Sequence, residues 1–417
     1  MGNNKYLFPM IVMSILFFMV GFITTMNNSL INFLSTSKWM LSFTEKQLIN
    51  TAFFGAYLFS VPLSYLLNRL GYKASAVLSL FIITIGFISV YPAVSLGYWA
   101  FLSSMFVVAI GIALLQIVLN PYVLALGDPK SAASRLNLTG FFNSVATVIA
   151  PIFVAALIST STISEDATMA ERPDPENVRI PFLFIAAIAL LLGVVLFKLK
   201  LPEIKEQETK SINSSKKSSP YKYPHLMLGA IAIFVYMGIE IGIPSFLPDR
   251  MKALGIVNDN ILGYDLNSTS ILSIYWGGLM IGRLIGSVLL QKISARTVTV
   301  FCASMGIICL GGSIILEGQT AIIMMTLCGL FNSIMWGNIF NLASEDLGEH
   351  TKRASGIICS FAIGGAILPP LMGLLQQSFG SNALTVGTKA ALCCLFVYYI
   401  YIILFAAKLS KIRILQE

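Results

Sequence analysis

About a dozen stretches of this chain run for some twenty residues or more with hardly a charge among them. A helix needs ~20 apolar residues to cross a hydrocarbon core ~30 Å thick, and each of these runs meets that length. Lipid offers no partner to a peptide group, so a run of this kind has to pair its backbone within itself, as a helix. Composition agrees, with 417 residues that are 56% hydrophobic and 11% charged, at a mean hydropathy of +0.82. Such a chain is an all-α membrane protein with no room left for a soluble catalytic domain. Twelve transmembrane helices are predicted: six near 7–34, 47–67, 74–94, 98–126, 132–160 and 180–198, and six near 224–247, 268–290, 297–316, 320–344, 354–379 and 386–407. The first begins right after Lys5 and is too long for a signal-peptide core.

The net charge of +8 invites a nucleic-acid reading, but its distribution argues otherwise. With the amino terminus inside, nineteen of the 27 lysines and arginines fall in segments predicted inside and seven in loops predicted outside. That bias places both termini in the cytoplasm. The Ser- and Lys-rich segment after the sixth span has no apolar period and reads as a flexible cytoplasmic linker, residues 201–222. It separates an N-terminal six-helix bundle, 1–200, from a C-terminal one, 223–417. The acidic loop SEDATMAERPDPENVR is predicted outside. All six cysteines lie within apolar runs, so no disulfide framework is implied. The two histidines, His225 and His350, sit near span ends and offer no metal cluster.

The two halves echo each other. Asn120, Ala125, Arg135 and Pro151 recur at constant offset as Asn338, Ala343, Arg353 and Pro369. Internal duplication of this kind marks secondary transporters, which hold substrate near mid-membrane between two bundles. Polar side chains in the spans point the same way. Gln116, Asn120, Asn137 and Asn143 sit where an unpaired amide would cost several kcal/mol, so they should face other helices or a wet cavity. Glu240 alone of the 19 acidic residues lies within an apolar run. Placing a carboxylate at helix centre costs about 2.5–3.5 kcal/mol, which makes Glu240 a candidate for cation coupling.

Short loops add a family signature. SYLLNRLGYK (Ser64 to Lys73) resembles the loop that joins the second and third helices of the major facilitator superfamily, and GRLIGSVLLQKISAR (Gly282 to Arg296) fits the same description. Asn68, Arg69, Lys73, Arg135, Arg283 and Arg353 are accordingly expected in gating or structural loops. Asn68 stands where the family has an acid, so one charge interaction is missing. GFITTMNNSLINFL, LLQIVLNPYVLALG, SRLNLTGFFNS, FVYMGIEIGIPSFL, YWGGLMIGRLIGS, GLFNSIMWGNIF and SGIICSFAIGGAILPPLMG together resemble the fucose permease and glucose/galactose transporter branch of that superfamily.

The resemblance implies two pseudo-symmetric six-helix bundles and monosaccharide uptake across a bacterial inner membrane by alternating access, usually with a co-transported cation. It also implies that Asn143 contacts sugar and that Gln116 occupies a position that is Glu in fucose permeases. Asn28 matches a first-span Asp linked to proton coupling, and an amide cannot carry that proton. The sequence Trp336-Gly337-Asn338 departs from the pattern of glucose/galactose relatives.

The residues themselves fit a sugar, whose hydroxyls both donate and accept and whose C–H faces are apolar. The expected substrate-binding set is Asn28, Gln116, Asn120, Asn143, Tyr236, Trp276, Asn332, Trp336 and Asn338, with Glu240 as the coupling residue. Tyr275 is a further ring at membrane depth, whereas Trp39 and Trp99 read as interfacial belt residues. Uncharged amides from both bundles are expected to converge on a wet central chamber. No cofactor is expected beyond a co-transported proton or sodium, the partners being a small sugar and the bilayer, and the chain is expected to be a monomer. An uncoupled facilitator, an exporter of another polar metabolite and a sugar receptor are the competing readings. One carboxylate and no mid-span histidine argue against an enzyme.

Overall fold

The computed structural model describes residues 6–41, 43–157, 172–202, 219–256, 260–261, 264–265 and 268–412. Most of the linker expected over 201–222 lies outside the described residues, as do Lys216, Lys217 and Arg413 and most of the acidic loop. So does the side chain of Asn28, although its backbone is helical.

The first half comprises α1 (Leu7–Thr36), α2 (Phe43–Gly55), α3 (Ser60–Leu96), α4 (Tyr98–Ala125), α5 (Ala132–Leu157) and α6 (Arg179–Lys198). The second comprises α7 (Pro224–Ala253), α8 (Ser268–Leu289), α9 (Ala295–Ile315), α10 (Gly318–Asn332), α11 (Met335–Ala343), α12 (Thr351–Ser360), α13 (Gly364–Gln377) and α14 (Thr388–Ala407). A two-residue antiparallel hairpin, Asn260–Ile261 with Tyr264–Asp265, precedes α8.

Among the described residues, eleven helical stretches are long and apolar enough to cross a membrane, and one of them, Thr51–Leu96, has 46 residues. At 1.5 Å per residue that stretch is more than twice the hydrocarbon thickness, so it must cross twice. Gly71 marks the turn, with φ at 78°, a conformation that only glycine adopts without strain. The count of crossings is therefore twelve, as expected. Shorter helices pair up in the other direction: α10 with α11, and α12 with α13, each make one interrupted crossing.

Packing follows the repeat. Asn137 of α5 donates to Asn338 of α11 across the halves at 3.0 Å. Its counterpart 218 residues on, Ser355 of α12, donates to the carbonyl of Ile117 in α4 at 2.8 Å. Equivalent positions thus touch equivalent helices, which is what a pseudo-two-fold axis between duplicated bundles requires. Two glycines let the halves approach. A Cβ at Gly356 would stand 2.6 Å from the Ser60 carbonyl, and one at Gly337 would stand 3.0 Å from the Asn137 amide nitrogen. The face of the molecule where Arg69, Lys130 and Arg353 lie is called the basic face below.

Candidate functional site

The site is built where α5 and α8 separate. Going along α5 from the basic face, Ser134 donates to the Ser287 carbonyl at 2.5 Å, and Asn137 meets Asn338. One turn on, the Gly140 carbonyl and the Ser144 hydroxyl both accept from Arg283, at 3.1 and 2.7 Å. Steps of three or four residues keep these groups on one helix face, about 5 Å apart. Alongside these contacts lies a cavity of about 910 Å³, lined on α5 from Leu136 to Val154. Its volume lies within the range of ligand sites, roughly 300–1,000 Å³.

On the basic side of the cavity the halves are tied at several further points. Arg353 stacks over Tyr65 at 4.6 Å and donates to its hydroxyl at 2.7 Å, while Lys352 lies 5.2 Å over the Tyr72 ring. Trp336 reaches the Asn120 amide oxygen at 3.5 Å. These contacts tie the two halves together on the basic side.

The two walls differ in chemistry. From the first half come Thr24, Thr25, Gln116, Asn137, Asn143 and Thr147, interleaved with Phe53, Phe54 and Tyr57. Asn143 is anchored by its Nδ2, which donates to the Phe17 carbonyl of α1 at 2.9 Å. From the second half come Glu240, Arg283, Ser273, Ser333, Trp276 and Trp336. Arg283 Nη2 approaches Glu240 Oε1 at 3.4 Å, with the side chains only 12% and 11% exposed. The buried Tyr236 ring lies beside the same carboxylate.

The expected site residues divide between the cavity wall and the helix contacts behind it. Gln116, Asn143, Trp276, Trp336 and Glu240 do line the cavity. Asn120, Tyr236, Asn332 and Asn338 do not, because each is satisfied within a dry helix contact. Asn120 donates to the Gln116 carbonyl of its own helix at 2.8 Å. Asn332 accepts from the Tyr399 hydroxyl at 2.7 Å and donates to Tyr275 at 3.4 Å, and Tyr236 donates to the Asn332 carbonyl at 3.3 Å. Asn338 accepts from Asn137 and donates to Thr299 at 3.0 Å, just beneath the cavity floor. Among the described residues, amides therefore line the first wall only; the second presents an ion pair and two indoles.

The loop residues also divide. Asn68 and Arg69 are exposed on the basic face, and Lys73 lies 5.9 Å over the Phe197 ring. Arg135 caps α4, donating to the Leu124 carbonyl at 2.7 Å and the Val123 carbonyl at 3.2 Å. Arg283 is not in a loop at all but on the cavity wall. Sequence reasoning placed it with the family's loop motif, yet one base and one acid left inside apolar runs was a signal that they pair. Thr24, Thr25, Thr147, Ser273 and Ser333 were missed because hydroxyls in a helix interior bond their own backbone as a rule and carry no distinctive pattern.

Residues 13–369 match the Major Facilitator Superfamily. The chain belongs to that superfamily. A glucose/galactose transporter of Brucella abortus is 38% identical over 382 residues, covering 91% of this chain and 90% of its own length. The L-fucose-proton symporter of Escherichia coli is 27% identical over 411 residues, covering 94% and 92%. The solved structure of the major facilitator transporter FucP in the outward conformation superposes with a TM-score of 0.82 at 26% identity, covering 98% of this chain and 100% of that one. As a major facilitator protein the chain is a multi-pass membrane transporter and not an enzyme.

Proposed function

We propose that this transporter imports a monosaccharide of the glucose, galactose or fucose kind across a bacterial inner membrane by alternating access, coupled to a proton or sodium ion. The observation that carries the reading is the cavity itself. Neutral amides and hydroxyls on one wall suit sugar hydroxyls, and the indoles of Trp276 and Trp336 on the other suit a C–H face. The sugar-transporting relatives support the same substrate class. On the charge bias the basic face is the cytoplasmic one, and in this reading the ties between the halves close the cytoplasmic side and leave the cavity directed outward. The likeness to FucP in the outward conformation agrees.

Coupling is assigned to Glu240, the one carboxylate on the cavity wall among the described residues. One charge crossing 100 mV contributes about 2.3 kcal/mol, enough for roughly fifty-fold accumulation of a neutral sugar. An uncoupled facilitator is the second reading, favoured by Asn28 and by the arginine that already neutralises Glu240. Uptake of labelled glucose, galactose and fucose into proteoliposomes, with and without imposed proton and sodium gradients, separates the two. Accumulation above the outside concentration that follows one gradient, and falls to equilibration in Glu240→Gln, is the expected result. Equilibration alone in the wild type selects the facilitator.

A further inference from the structure

Arg283 has five N–H groups to place. Nε donates to the Ser333 carbonyl at 3.2 Å, Nη1 to Gly140 and Ser144, and Nη2 to Glu240. Among the described residues, one N–H on Nη2 remains. Among the described residues the Glu240 carboxylate receives Arg283, whereas its two oxygens offer about four acceptor sites. Acceptor capacity is therefore left over as well. The backbone on which Glu240 stands is held by the Tyr275 hydroxyl, which donates to its carbonyl at 3.2 Å. The pair is thus fixed in place, incompletely satisfied and set on the wall of a polar cavity. Trp276 lies seven residues before Arg283 on α8, two turns away on the same helix face, and lines the same wall.

From this we infer that Glu240 and Arg283 form a diol-reading subsite: one sugar hydroxyl donates to the Glu240 carboxylate, its neighbour accepts from the spare Nη2 hydrogen of Arg283, and the ring's C–H face lies on Trp276. The inference rests on the sugar reading of the cavity and narrows it to monosaccharides with two adjacent free hydroxyls. It gives Glu240 a contact role distinct from carrying a coupling ion. Hydrogen bonds to charged groups are the strong ones. An analogue that lacks one of the two hydroxyls leaves one of the charged groups short of a partner, which is how such sites reject deoxy compounds. Gln116 and Asn143 on the facing wall then take the remaining hydroxyls without charge.

The test uses the purified full-length protein in proteoliposomes. Mono-deoxy analogues of the best-transported sugar compete with labelled parent sugar, in the wild type and in Glu240→Gln and Arg283→Lys. In the wild type, the analogues missing one of two adjacent hydroxyls should compete about ten- to hundred-fold more weakly than the parent. Each variant should lower that ratio at the hydroxyl its residue reads, Glu240→Gln at one and Arg283→Lys at its neighbour, while the penalties at hydroxyls outside the pair persist. A variant that loses only ion-driven accumulation, with the deoxy pattern unchanged, would refute the contact role and leave the sugar reading intact. A wild type that transports none of the sugars fails earlier, overturning the reading of the cavity and this inference with it. The second variant carries the comparison if one of the two does not reach the membrane folded.

Discussion

Asn332 and Gln116 are both amides at membrane depth, yet they do opposite work. Asn332 is fully buried among Tyr236, Tyr275 and Tyr399, and its side-chain oxygen serves the Tyr399 hydroxyl. Replacing it by Leu leaves that hydroxyl without its acceptor, at a cost of about 1–3 kcal/mol. Asn332→Leu should lower the melting temperature of the detergent-solubilised protein and leave the sugar preference of the folded fraction unchanged. Gln116 faces the cavity, so Gln116→Ala should do the reverse: a melting temperature within about a degree of the wild type and sugar competition roughly ten-fold weaker. An equal loss of stability in both would contradict the division drawn between packed and cavity-lining amides. Sequence position could not separate the pair, because burial in a dry contact and exposure to a wet wall look alike along a single helix.

At the scale of elements, α5 against α8 and α3 against α12 form the seam that must part when the cavity changes sides. The ties are short-range and polar: Ser134 to Ser287, Asn137 to Asn338, Ser355 to Ile117, and Arg353 and Lys352 on tyrosine rings. The position where the family loop carries an acid is Asn68, and Arg353 here finds an aromatic partner, Tyr65, one turn earlier. Interhelical hydrogen bonds in membranes contribute about 0.6–2 kcal/mol. Asn137→Leu should therefore shift the ratio of outward to inward forms about three- to thirty-fold toward the form open at the basic face. Spin-label distances between the basic-face ends of α4 and α11 would register the change, and an unaltered distribution would show that these ties do not hold the state. The repeat made the seam partly legible, since Asn120 and Asn338 were marked as equivalents. Their partners were not, because contacts between halves lie some two hundred residues apart.

For the whole molecule, the twelve crossings and their orientation are the strongest constraint and the simplest to check. A cysteine placed at Lys38 in a background without native cysteines should react with an impermeant thiol reagent added outside intact cells. One placed at Lys130 should react only after the membrane is opened. Labelling of Lys130→Cys from outside would reverse the assignment of the side to which the cavity opens. Apolar run length determined the helical class and the number of crossings, and the bias of lysine and arginine supplied the expected orientation, because each is a one-dimensional property priced by the bilayer. The duplicated halves and the family likeness were equally visible in the residues themselves. What the chain alone left open was which polar groups share a wall, since that depends on the rotation of each helix about its axis. Only tertiary packing set Arg283 against Glu240, withdrew Asn332 and Asn338 from the cavity, and gave the two bundles walls of different chemistry: the energy that decides those rotations comes from contacts between distant segments.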